Sequence, residues 1–397
     1  MTERELFYRY LGLPSFYPMA LEIVKAEGIY LYGSSGEKFI DLVAGISVSN
    51  VGHRHPGVQD AIRDQLDKYL HINVYGEFVQ APQVRLAERL AGLLPEKLDS
   101  VYFVNSGSEA IEGALKLAKR FTGRTEVISF IDSYHGSTHG ALSILGKEPL
   151  KNAFRPLLPD TRLIEFNNYC QLEKISTRTA CVVIEMIQAE AGIIPVEAYF
   201  INQLKKRCAR DGALIIVDDV QMGMGRTGKL FSFEHYDFVP DILVLAKALG
   251  AGLPLGAFIS ARKMMDTLAF NPELGHITTF GGHPLSCAAA LAGLDILLSD
   301  QLIPDAVEKG KIFEDRLYGH PAIADIRRSG LALGVDLANP EKRGPFMQAA
   351  LQNGIIIDWY LFKPATFRIA PPLTITLDEI NLACEKLLAS LDSLNAG

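Results

Sequence analysis

The feature that most restricts the fold is an alternation through the middle of the chain. Short apolar runs rich in β-branched residues give way repeatedly to stretches of helical period. The expected strands are residues 101–104, 127–130, 181–186, 213–218, 242–246 and 255–260. The clearest helix between them carries Ile111, Ala114, Leu115, Ala118 and Phe121 on one face, with Gly123 just past its end. Such alternation predicts an α/β fold with a mostly parallel sheet covered by helices on both faces. After about residue 290 the pattern changes to shorter, mixed elements, and Thr376-Leu377-Asp378-Glu379 has the form of a capping box. With 397 residues the chain exceeds one ordinary domain. The expected division is a large domain over 46–290, a smaller α+β domain over 291–397, and an amino-terminal segment, 1–45, packed with the small domain.

Charge and cysteine usage exclude several classes of function. The net charge of -7 is spread along the chain with no basic stripe, which argues against nucleic acid and suits small-molecule partners. The five cysteines are widely spaced and form no CxxC pair, as in a reducing cytoplasm. The opening residues, MTERELFYRY, are charged and aromatic, unlike a signal peptide. No apolar run approaches the ~18 residues of a membrane helix. A cytoplasmic location without a membrane partner is expected.

In open parallel sheets ligands bind beyond the carboxyl ends of the strands. There the sequence places Asn105-Ser106-Gly107-Ser108-Glu109-Ala110, Glu185, Asp218-Asp219 and Lys247. Ser106-Gly107-Ser108, between a strand and a helix, could hold a phosphate on its backbone N–H groups. It could equally be a plain helix start, since Ser106 and Glu109 have capping-box spacing. Lys247 is either a solvated strand-end lysine or an amine in a water-poor pocket, where desolvation lowers its pKa and makes it nucleophilic. Asp218 ends an apolar run, and a carboxylate there requires a partner.

Two further matches carry less weight. Gly223-Met224-Gly225-Arg226-Thr227-Gly228 fits GxGxxG and, with Lys229, most of a P-loop. Both motifs need a helix to follow, and Leu230 stands where a P-loop needs Ser or Thr. His53-Arg54-His55 has no further ligands at metal-site spacing, so no metal is expected.

Taken in order, the motifs resemble the class III aminotransferases of pyridoxal-phosphate (PLP) fold type I, the group that includes the ornithine, acetylornithine and 4-aminobutyrate transaminases. The carriers are Gly52-His53-Arg54-His55-Pro56, Asn105-Ser106-Gly107-Ser108-Glu109-Ala110, Tyr134-His135-Gly136 and Ile187-Gln188-Ala189-Glu190-Ala191-Gly192. They continue through Asp218-Asp219-Val220-Gln221, Gly225-Arg226-Thr227-Gly228-Lys229, Lys247-Ala248-Leu249-Gly250, Thr279-Phe280-Gly281-Gly282 and Phe367-Arg368-Ile369-Ala370-Pro371-Pro372.

The resemblance implies that Lys247 holds PLP as an internal Schiff base and later acts as general base. Asp218 would pair with the pyridine nitrogen, Tyr134 and Val220 would flank the ring, and Gln221 would reach its phenolic oxygen. Ser106, Gly107 and Ser108 would cradle the phosphate, with His135 and Glu185 also at the cofactor. Thr279 would reach the phosphate of a neighbouring subunit, implying a homodimer with the active site at its interface. Glu190 and Arg368 resemble a switchable ion pair that opens when Arg368 binds the α-carboxylate of glutamate or 2-oxoglutarate. The implied reaction moves an amino group, an ω-amino group by this reading, from an amine or amino-acid donor to a keto acid such as 2-oxoglutarate. An amino-shift mutase, racemase or decarboxylase would use the same fold and lysine, and a nucleotide-binding protein would use the stretch 223–228.

Two positions depart from the family pattern. Ser137 stands where members acting on ornithine, acetylornithine or 4-aminobutyrate carry an arginine for the donor's carboxylate, and a neutral hydroxyl cannot replace that cationic fork. Asp219 stands where glutamate is usual. Tyr75 and Ser137 are candidates for the donor pocket.

Overall fold

The computed structural model describes residues 1–74, 76–299 and 301–395. Near the amino end, β1 (Ile23–Glu27), β2 (Tyr30–Gly33) and β3 (Lys38–Asp41) form an antiparallel ribbon. The central sheet is built from β4 (Ser100–Val104), β5 (Glu126–Phe130), β6 (Thr161–Ile164) and β7 (Thr179–Ile184). After a short hairpin of β8 (Ile187–Gln188) and β9 (Ile194–Pro195), it is completed by β10 (Leu214–Asp218), β11 (Ile242–Leu245) and β12 (Gly256–Ser260). Its order is β4-β12-β11-β10-β7-β5-β6, and only β12 runs against its neighbours. Every residue of β5, β7, β11 and β12 is buried, which explains their predominantly apolar sequences. β6 is absent from the expected strands because its four residues, Thr-Arg-Leu-Ile, alternate too briefly to register.

The helix Gly107–Thr122 shows how sequence sets the local structure. Ser106 Oγ accepts the Glu109 N–H at 3.2 Å, and Gly123 ends the helix in the left-handed region at φ +69°. Ile111, Ala114, Leu115 and Ala118 are buried as expected, whereas Phe121 is 41% exposed because the sheet no longer covers the last turn. Gly113 lies so close to Phe258 on β12 that a Cβ would come within 2.2 Å of its ring. The expected capping box at Ser106 is only half formed. Glu109 reaches back to the Asn105 N–H and side-chain amide, at 2.7 and 2.8 Å, rather than to the N–H of Ser106 itself.

Beyond the helix Pro284–Ser299, the chain forms an antiparallel sheet of β13 (Ile323–Ser329), β14 (Ala332–Leu337), β16 (Trp359–Tyr360) and β17 (Lys363–Ile369), while β15 (Ile355–Ile356) joins β3 in parallel. The Thr376–Glu379 capping box is complete. The glycine stretch 223–228 is a series of turns from which no α-helix opens, only a short 3-10 helix at Ser232–His235, which disposes of both phosphate-loop matches. Its Arg226 is fully buried and donates to Leu331 O (3.0 Å), Pro371 O (2.6 Å) and Asn50 Oδ1 (2.6 Å), so the stretch latches distant segments together. His53 pairs with Asp41 at 2.8 Å, and His55 caps the helix Pro56–Leu66. Among the described residues no group of His, Cys, Asp and Glu could hold a metal, and no single helix is long and apolar enough to cross a membrane.

Candidate active site

The carboxyl ends of β4, β7, β10 and β11 open on a cavity of about 380 Å³. Of the residues expected there, Ser106, Gly107, Ser108, Tyr134, His135, Glu185, Asp218, Val220, Gln221 and Lys247 all line it. Thr279 does not line this cavity; it lies in an exposed turn. Tyr75 lies outside the described residues.

Lys247 follows β11 and takes a left-handed backbone, φ +50°, a conformation that costs a non-glycine residue ~1–2 kcal/mol. Strain of this kind gathers at functional positions. Its Nζ donates to Gln221 Oε1 at 2.7 Å. Burial lowers the pKa of the amine to about 8, against the opposing pull of Glu190. A lysine near that value can give or take a proton close to neutral pH.

Asp218, at the end of β10, is held on both oxygens. Oδ2 lies 2.7 Å from His135 Nδ1, and Oδ1 accepts the Val220 N–H at 3.1 Å. His135 Nε2 is buried with no partner. Glu185 accepts the Tyr134 N–H at 3.1 Å, and burial, reinforced by the neighbouring Asp218, pushes its carboxyl well above the ordinary range. Asp219 is also buried and accepts from the Ser232 N–H and hydroxyl, with its pKa raised by burial to about 7. It fixes the loop behind Asp218 and does not line the cavity.

At the opposite wall, the first turn of Gly107–Thr122 offers N–H groups without intrahelical partners. Gly107 is required there, because a Cβ would stand 2.9 Å from Val220 Cγ1. At Gly136 (φ +130°) a Cβ would meet Ser108 Oγ at 2.1 Å. Ser137 is exposed, its N–H donates to Ser108 Oγ, and its hydroxyl lies 3.2 Å from Tyr134 Oη.

These groups fit pyridoxal phosphate. The helix N-terminus suits a phosphate, Val220 and Tyr134 offer an apolar and an aromatic wall, Asp218 suits a cationic ring nitrogen, and Lys247 suits an aldehyde. The glycine cradle and the orphaned His135 Nε2 are features of a wall built around a ligand rather than of close packing.

Glu190 and Arg368 meet behind Gln221. Glu190 Oε1 accepts Arg368 Nη2 at 2.7 Å and Gln221 Nε2 at 3.1 Å, and Oε2 accepts the Leu361 N–H at 2.8 Å. Arg368 is 2% exposed and also contacts Asp358 Oδ2 at 3.2 Å. Asp358, Tyr360 and Leu361 carry no signal in the sequence. They sit on or beside two-residue strands whose pattern carries no period.

Residues 14–391 match the model of the family described as aminotransferase class-III. The chain is 39% identical over 402 residues to an acetylornithine aminotransferase of Methanopyrus kandleri, covering 100% of each. It is 36% identical over 368 residues to one of Archaeoglobus fulgidus, covering 92% of this chain and 94% of the relative. Among solved structures, an (S)-enantioselective omega-transaminase from Thermomicrobium roseum superposes with a TM-score of 0.91 at 27% identity over 99% of both chains. The ornithine aminotransferase of Toxoplasma gondii, with PLP at partial occupancy, gives 0.90 at 29% identity over 99% of this chain and 94% of that one.

Proposed function

The chain belongs to the class III aminotransferases and is a pyridoxal-phosphate-dependent enzyme of amino-group transfer, and from that premise we propose roles for the residues around its cavity. When bound, PLP supplies a carbonyl for the amino group and a ring that withdraws the electrons left when a substrate C–H bond breaks. Lys247 is both tether and general base, a pairing supported by its lowered pKa and its place on the cavity wall. Asp218, oriented by His135, keeps a proton on the ring nitrogen. An opposite charge at contact is worth ~1–3 pKa units there. The N–H groups at Ser106, Gly107 and Ser108 hold the phosphate, Val220 and Tyr134 flank the ring, and Gln221 serves its phenolic oxygen. The convergence of Lys247, Asp218 and an open helix N-terminus on one cavity carries this reading.

The acceptor is 2-oxoglutarate, bound through Arg368 once Glu190 releases it, and the donor offers an ω-amino group. Ser137 and Tyr134 share a neutral, exposed contact where a carboxylate-binding arginine would stand, which supports a donor without a carboxylate at that point. The working unit is a homodimer in which Thr279 reaches the partner's phosphate. Its exposed position among the apolar Ile277 and Phe280, 49% and 54% exposed, supports this. The division at 1–45, 46–290 and 291–397 accompanies the reading, supported by the β3–β15 pairing. Five free cysteines support a cytoplasmic setting.

A single-turnover screen tests the reading. Candidate amines, glutamate included, are added singly to the PLP-loaded protein without keto acid. Conversion of the cofactor to pyridoxamine phosphate by glutamate and by an ω-amine is the expected result. Failure of every amine, or turnover that needs no keto acid, contradicts it.

A further inference from the structure

Arg368 is held by two carboxylates that travel on different parts of the chain. Glu190 comes from the turn between β8 and β9. Asp358 lies between β15 and β16, and its carbonyl accepts the Arg368 N–H at 2.9 Å, so it is bound to the strand that carries the guanidinium. The Tyr360 ring lies under the guanidinium at 4.5 Å. Two buried polar atoms at this junction have no partner, Asp358 Oδ1 and Arg368 Nε.

We propose that Asp358 is the resident counter-ion of Arg368, keeping the guanidinium paired and aimed while Glu190 yields its place to the α-carboxylate of a dicarboxylate substrate. The inference rests on Arg368 being the acceptor's carboxylate site. With a single partner, Arg368 would become a bare buried cation whenever Glu190 left, a strongly unfavourable state. With Asp358 in place the exchange passes through a neutral pair. Asp358 therefore speeds the exchange without favouring either end state, because its charge weakens the bonds of Glu190 and of substrate to Arg368 alike.

The charged and titratable groups facing Asp358 are Arg368 on β17, Glu190 on its hairpin, Asp41 on β3, Tyr360 on β16 and Lys247 after β11. Burial raises Asp358 to about 6; Arg368 opposes this, and Glu190 and Asp41 add to it. Below that pH the resident counter-ion is neutral, and the enzyme behaves as though it lacked it.

The test compares half-reactions of the PLP-loaded enzyme across pH. For 2-oxoglutarate, kcat/KM of the native protein falls as pH drops through about 6. Asp358→Asn gives a value on the order of tenfold lower at pH 8, with no such fall. The donor half-reaction with a monoamine, during which Glu190 stays paired, is the same in both proteins. A second readout needs no turnover: Trp359, the single tryptophan, follows association of glutarate, an unreactive dicarboxylate, which Asp358→Asn slows by a similar factor. Equal losses in both half-reactions, or an acid limb that survives in Asp358→Asn, overturns the inference. If that variant does not fold, the native profiles decide: an identical acid limb for donor and acceptor overturns it. Arg368→Gln measured alongside separates the two levels. If it lowers both half-reactions alike, the acceptor reading fails too; if it lowers only the acceptor's, a failure at Asp358 is confined to Asp358.

Discussion

Gln221 joins Lys247 to Glu190: its side-chain oxygen accepts from the lysine amine at 2.7 Å, and its amide donates to the glutamate at 3.1 Å. Through Glu190 the link continues to Arg368 at 2.7 Å. The amine proposed to hold the cofactor and the guanidinium proposed to bind substrate are therefore ends of one hydrogen-bonded chain. Opening the Glu190–Arg368 pair changes the field at Lys247.

Burial lowers the Lys247 pKa to about 8, and Glu190 is the strongest group holding it up. Glu190→Gln removes that charge, so the amine pKa falls below about 8 and its neutral fraction at pH 7.5 rises. Acylation of the amine in cofactor-free protein, followed against pH, has its midpoint near 8 in the native protein and lower in Glu190→Gln. An unchanged or raised midpoint contradicts the coupling.

Arg226 supplies a prediction about stability. Arg226→Ala leaves Asn50 Oδ1, Leu331 O and Pro371 O without their buried donor. At ~1–3 kcal/mol for each unsatisfied group, tempered by water entry, the loss is on the order of 3–5 kcal/mol. Urea denaturation of the PLP-free protein should show it as a clearly lower midpoint. A midpoint within error of the native protein would mean that the latch carries little of the fold.

The part of the fold legible in the sequence was the part carried by apolar runs or by helical period. Strands β5, β7, β10, β11 and β12 were visible because burial on both faces makes them mostly apolar, half-buried β4 because its residues 101–104 are apolar and β-prone, and Gly123 marked its helix end by chemistry alone. The strand-end rule then located Asn105–Ser108, Glu185, Asp218 and Lys247. What stayed hidden depends on tertiary approach. Nothing in His135 announces that its Nδ1 meets Asp218 from 83 positions away. Asp358 looks like one acidic residue in an apolar run, and only the β16–β17 turn brings it to Arg368. The half-formed box at Ser106 has the same origin, since Glu109 turns toward Asn105, whose side chain also reaches Thr278 at 3.1 Å.

Turnover and absorbance of Lys247→Ala loaded with PLP put the proposed role of this lysine to the test. This variant retains some cofactor, lacks the absorbance of a lysine-bound aldehyde, and loses multiple turnover by at least about 10²–10⁴-fold. Transamination at native rates in Lys247→Ala would contradict that role.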